Sequence, residues 1–197
     1  MRNLKIIALL LLPLLGCFAQ IEDQSVTITH ALCTGNTACI PGGPGVPLGV
    51  TQTGGNSYTV SFGDQPLLQS SNSLGPTTLN TSLLLNQAAF DMRTTGADFT
   101  QVQSVTLSVA IQPANPPGSD PCATASNCVQ VATYNQSTDG VANQRIVLKG
   151  NGSDLLKYIN SSHDLIVAFQ ASGFGPTTPW SADVSMDMAL KARANFP

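Results

Sequence analysis

Ala182-Asp183-Val184-Ser185-Met186-Asp187-Met188-Ala189-Leu190-Lys191-Ala192-Arg193-Ala194-Asn195-Phe196 is the stretch that decides the fold. Ala182, Val184, Met186, Met188, Leu190, Ala192 and Ala194 keep one parity through to Phe196. Asp183, Ser185, Asp187, Lys191, Arg193 and Asn195 keep the other. Side chains of a strand alternate between two faces, so this segment reads as a strand with one apolar and one wet face. Wound as a helix, the same residues would scatter charge around the cylinder.

The same period recurs upstream. Val26, Ile28, His30 and Leu32 alternate with Thr27, Thr29 and Ala31; Tyr58, Val60 and Phe62 alternate with Ser57, Thr59 and Ser61. Val105, Leu107, Val109 and Ile111 form a third set, and Leu165, Val167 and Phe169 a fourth. Weaker strands are expected over Leu83–Met92, Val129–Tyr134 and Arg145–Lys149, each bounded by turn residues such as Asp139-Gly140 and Gly150-Asn151-Gly152. Parity changes near Asn86, and Val102 is out of phase with Val105, so bulges are expected at both places. A short helix is expected over Asp154–Ile159, capped by Ser153. Pro41–Pro47 and Pro113–Pro121 read as loops, because proline lacks the ladder donor. Half-buried strands belong to antiparallel sheets. The expectation is an all-β protein: an antiparallel two-sheet sandwich, jelly-roll or Ig-like, of about eight strands with one short helix. No composition break divides residues 20–197, which are expected to form a single domain.

Residues 1–19 have a different character. Arg2 and Lys5 precede an apolar run from Ile6 to Leu15, too short to span a bilayer and built like a secretory signal. Leu14-Leu15-Gly16-Cys17 resembles the lipobox of bacterial lipoproteins. That resemblance implies cleavage before Cys17, a lipid on its sulfur and a membrane anchor. Cys17-Phe18-Ala19 also offers a small-x-small site, with cleavage after Ala19. Losing Arg2 and Lys5 leaves six basic residues against eleven acidic ones, a net charge of −5. Nucleic acid is therefore not an expected partner, since phosphate binding needs a clustered basic face. Charged residues make up only 10% of the chain, and amides and hydroxyls carry most of the polarity.

Four further cysteines fall in two windows of identical spacing, Cys33 to Cys39 and Cys122 to Cys128. In an exported chain an even count reads as disulfides, and the small turn-forming residues inside each window favour the local pairs Cys33–Cys39 and Cys122–Cys128. A zinc site would space its cysteines more closely.

Candidate chemistry is sparse. His30 lies on the apolar parity of the first strand, where a core role is expected. Ser162-His163-Asp164 places three triad residue types side by side, but sequence neighbours do not form triad geometry unaided. Asp183 and Asp187, roughly 13–14 Å apart along one strand face, are too distant for a glycosidase pair and are read as solubilising. The loop acids Asp120, Asp139 and Asp154 offer oxygen ligands that calcium could use; no other cofactor and no other metal is expected. Asn80, Asn135, Asn151 and Asn160 each open an Asn-x-Ser/Thr triplet and are read as incidental. Phe174-Gly175-Pro176-Thr177-Thr178-Pro179-Trp180 puts two aromatics in a rigid connection between the last two strands. Phe174 and Trp180 are therefore the expected ligand-binding residues, by stacking on a sugar or anchoring a protein; the competing role for Trp180 is to cover one end of the core.

No catalytic set stands out, so the expected role is non-enzymatic: an exported, lipid-anchored or secreted envelope module binding a glycan or an envelope protein. The alternatives are a structural envelope component without a small ligand and a sandwich-fold hydrolase. The intact mass of the mature protein checks the processing: an acylated product beginning at Cys17 is expected, and one still bearing Met1 refutes export.

Overall fold

The decisive segment is a strand. In the computed structural model, which describes residues 24–31, 40–42, 57–62, 71–74, 77–111, 121–122 and 124–195, it forms β10, Trp180–Asn195. Ala182, Val184, Met186 and Met188 are at most 1% exposed, while Asp183, Ser185 and Asp187 stay half-buried on the other face. The processing segment 1–19, Cys17, Cys33, Cys39 and Asp120 lie outside the described residues.

The remaining strands are β1 (Gln24–Ala31), β2 (Ile40–Gly42), β3 (Ser57–Ser61), β4 (Ser71–Leu74), β5 (Thr77–Met92), β6 (Val102–Ala110), β7 (Cys128–Asn135), β8 (Arg145–Gly150) and β9 (Asp164–Gly173). One helical turn, α1, covers Gln136–Asp139, and 3-10 turns cover Ala125–Asn127 and Leu155–Tyr158. The protein is mostly antiparallel β, as the alternation requires, and every strand pair described is antiparallel. All eight expected strands are present. Two short ones join them: β2 pairs Trp180–Ala182 of β10, and β4 pairs the start of β5. Pro41 was expected in a loop; it is carried instead on the short strand β2, opposite Ser181. Its missing donor is tolerated in so short a pairing.

The strands hydrogen-bond into one ten-stranded sheet, ordered β1-β10-β5-β8-β7-β6-β9-β3, with β2 and β4 branching from β10 and β5. Two separate sheets were expected; alternation identifies the face that must be covered, not whether the covering strands belong to the same ladder. Phe90 of β5 and Phe169 of β9 meet edge to face with ring centroids 4.9 Å apart. Those strands are four places apart, roughly 19 Å in a flat sheet. The sheet therefore curls over itself into a half-barrel. Between those two strands, β7 and β8 share only two residue pairs, Ala132↔Gly150 and Thr133↔Lys149. Leu83, Leu107, Leu148, Leu165, Val167 and Met186 fill the interior, and Leu155 of the second 3-10 turn joins them.

Both expected bulges occur. The β5–β10 register slips between Asp187 and Met188, leaving Asn86 as the extra residue, and the β6–β9 register slips at Gln103. Glycine is required beside each. A Cβ on Gly150 would stand 1.8 Å from the Leu85 carbonyl oxygen, and Gly173 has φ +98° with the Gln101 carbonyl oxygen 2.4 Å from where its Cβ would be. The expected helix is shorter than read and is capped by Asp154, whose Oδ1 accepts from the N–H of Leu156 at 3.1 Å; Ser153 instead donates its N–H to Asn151 Oδ1.

Cys122 and Cys128 form a disulfide of S–S 2.04 Å, the expected local pairing. It ties the chain ahead of β7 to that strand's first residue, which faces Ala110. A ring this small stabilises by about 2.4 kcal/mol on the chain-entropy model. Denaturant unfolding of Cys122→Ala/Cys128→Ala should show a loss of about 2 kcal/mol with an unchanged far-UV spectrum; no loss would show that the bridge constrains nothing.

Candidate functional site

The two aromatics of the β9–β10 connection have separate fates. Trp180 opens β10, is 8% exposed, and meets Phe99 edge to face at 5.9 Å. The chain passes close over it, since a Cβ on Gly175 would lie 3.1 Å from the indole Nε1. Trp180 thus covers one end of the core, and its ring offers no open stacking face. Phe174 is 48% exposed, held in place by its N–H donating to the Gln101 carbonyl at 3.0 Å.

His163 sits at the turn into β9 with φ +61°, a left-handed conformation unusual for a residue with a side chain. Asn160 builds that turn: its Oδ1 accepts from the N–H groups of Ser162 at 2.8 Å and Asp164 at 3.0 Å. The His163 N–H donates to the Asn160 carbonyl, and its own carbonyl accepts from Phe62. His30 pairs with Met186 in the β1–β10 register.

The two loop acids among the described residues, Asp139 and Asp154, are occupied. Asp139 Oδ2 accepts from the Asn135 N–H and Oδ1 from Lys149 Nζ, both at 2.9 Å. These contacts, the backbone one first, hold its carboxyl below the usual range. Asp154 Oδ1 accepts from Leu83 and Leu156. Among the described residues no group of three His, Cys, Asp or Glu side chains converges as a metal cluster would.

The side chains that do converge lie on the outer face of β10, β5 and β8. Three cross-strand rows run there: Asp183–Asp91–Arg145, Ser185–Ala89–Val147 and Asp187–Gln87–Lys149. Ser185 and Ala89 are small, and both neighbouring rows carry long side chains. A depression of about 140 Å³ results, lined by Gln87, Ala89, Arg145, Ser185 and Asp187, with Ala89 only 2% exposed.

Charge around it is unevenly matched. Arg93 Nε pairs with Asp183 Oδ2 at 2.5 Å, and Arg145 with Asp91 at 3.3 Å. Lys149, in the row of Asp187, is drawn to Asp139 instead. Asp187 has no ion pair among the described residues, and its Oδ1 is buried without a hydrogen-bond partner. Asp183 Oδ1 is likewise unpartnered, although its other oxygen holds Arg93. A buried acceptor left unsatisfied costs about 1–3 kcal/mol, more when charged. The lining offers donors from Arg145, acceptors from Asp187, and both from Gln87 and Ser185. The five lining residues include no paired nucleophile and base.

Sequence reading placed Asp183 and Asp187 on this face but took them as solubilising, and passed over Gln87, Ala89 and Arg145. The available signal was a run of small outer residues between charged ones, hidden in β5 by the bulge at Asn86.

No protein-family model and no curated protein matches the chain. Among solved structures it is similar to a chain from Desmodium yellow mottle tymovirus, at 15% identity and a TM-score of 0.30, over 98% of this chain and 91% of that one. A TM-score that low assigns no shared fold.

The two aromatics separate by stability. Trp180→Ala should lower unfolding free energy by about 3–5 kcal/mol, as large core truncations do. Phe174→Ala should stay within about 0.5 kcal/mol, in keeping with an exposed site. Equal losses in denaturant titrations would contradict the burial described.

Proposed function

We propose that this protein is an exported, non-enzymatic binding module of the cell envelope, lipid-anchored through Cys17, that holds a glycan or a protein partner on the outer face of its sheet. The observation that carries this reading is the polar depression on the outer face, lined by an Asp187 that has no ion pair among the described residues. A group that lacks a partner within the chain is the natural place for one from outside. The site stands on three paired strands, a rigid support that holds its side chains in place. Phe174, exposed at one end of the sheet, adds an apolar contact for a large ligand.

Export fits the disulfide, since such bonds persist in oxidising compartments. The fold itself is read as sandwich-like, jelly-roll or Ig-like, with the β1-β10-β5-β8 half facing the β7-β6-β9-β3 half across the core. The net charge of −5 after processing argues against nucleic acid as a partner.

Binding measured on a glycan array and by pull-down from envelope extract, with Asp187→Ala and Arg145→Ala alongside the parent, tests the reading. Each variant should weaken retention by about tenfold, the effect of losing one charged hydrogen bond of about 1.4 kcal/mol. Retention untouched by both variants would place the site elsewhere. A hydrolytic activity abolished by both His163→Ala and Asp164→Asn would make the protein an enzyme.

A further inference from the structure

From the lining of the depression we infer the ligand class: a neutral polyhydroxylated ring, a sugar presenting hydroxyls on opposite sides. This rests on the binding reading above and narrows it. Asp187, when ionised, only accepts hydrogen bonds, and Arg145 only donates them. The two stand at opposite corners of the patch, two strands and four residues of register apart, so a ligand satisfying both must donate at one end and accept at the other. Hydroxyls on opposite sides of a sugar ring do so without carrying charge, and Gln87 and Ser185 can serve either role toward the hydroxyls between them.

Charged ligands fit worse at both extremes. Arg145 is already matched by Asp91, so an anion would meet the unmatched carboxylate of Asp187 with no free cation to hold it. A cation would be set against the Arg145 guanidinium in the same small space. Size agrees as well. About 140 Å³ corresponds to roughly five waters at ~30 Å³ each, the volume of a single sugar ring and far below that of a folded protein epitope. The floor is Ala89, whose methyl leaves the ring room to lie flat over β5. A ligand hydroxyl donates to the carboxylate where Asp187 lines the depression.

The experiment uses the mature protein with the Cys122–Cys128 disulfide intact. Saturation-transfer NMR and calorimetry compare neutral methyl hexosides and short neutral oligosaccharides with matched uronic-acid and amino-sugar ligands. Two variants accompany the parent: Ala89→Val, which fills the depression with a residue suited to a strand, and Asp187→Ala, which leaves the backbone face unchanged. Neutral sugars should bind the parent, and both variants should weaken them at least about tenfold, with little effect of salt. A preference for uronic acids or amino sugars, lost in the same variants, would overturn the neutral-sugar inference and leave the depression as a binding site. Retention of only an envelope protein, lost in Ala89→Val, would do the same. Absence of any ligand, or binding indifferent to both variants, would overturn the inference together with the binding reading beneath it.

Discussion

Phe90 against Phe169 is the contact on which the rest of the structure depends. Each ring is nearly buried, at 6% and 5% exposed, yet the strands that carry them are separated by β8, β7 and β6 in the sheet. A one-sided sheet cannot leave its apolar face in water, and burying it stabilises by about 25 cal/mol per Å². With no second layer of helices among the described residues, the covering must come from the sheet itself. Curling into a half-barrel brings Phe90 and Phe169 together across the core. The bulges at Asn86 and Gln103 supply local twist to the strands on either side.

Eight strands, both bulges and the Cys122–Cys128 pairing could be read from the sequence because each is a local pattern: period two, a parity change, a six-residue separation. What could not be read was non-local. Strand order depends on which apolar faces meet, and Met186 opposite Ala88 looks no different in sequence from Met186 opposite any other apolar residue. The short strand β2 was hidden because Pro41 and Gly42 argue against a ladder, and only the neighbouring end of β10 makes their pairing worthwhile. Asp154 took the cap expected of Ser153 because its Oδ1 also satisfies the Leu83 N–H across the sheet, a contact 71 residues distant in sequence. The site was hidden for the same reason. Asp187 looks like any outward acid until Gln87 and Arg145 are set beside it.

The curl also explains why the polar depression lies outside. One face of the sheet is committed to the core, whose Leu107, Leu148 and Leu165 are fully buried and leave no room for a polar ligand. The other face is patterned by the same alternation, so its residues stand in fixed rows with strand-to-strand spacing of about 4.8 Å. The small pair Ser185 and Ala89 between rows of longer side chains then leaves a hollow. Rigidity follows without a dedicated loop, because the hollow's floor is hydrogen-bonded backbone on both sides.

Much of this protein's polarity works locally. In three of the four Asn-x-Ser/Thr triplets the asparagine Oδ1 accepts the N–H two residues on: Asn135 from Ser137, Asn151 from Ser153 and Asn160 from Ser162. These are Asx turns, which let a chain with few charges reverse direction and keep its backbone satisfied. These three triplets thus have a structural role in turn chemistry. Charges on the outer rows follow the same economy: Asp183 with Arg93, Asp91 with Arg145, and Lys149 with Asp139. Asp187 departs from it. Lys149 stands in its row yet turns away to a carboxylate that also caps the Asn135 N–H, a better-satisfied partner than Asp187 could be. Folding alone therefore leaves Asp187 with no ion pair among the described residues and with one buried carboxylate oxygen that accepts nothing.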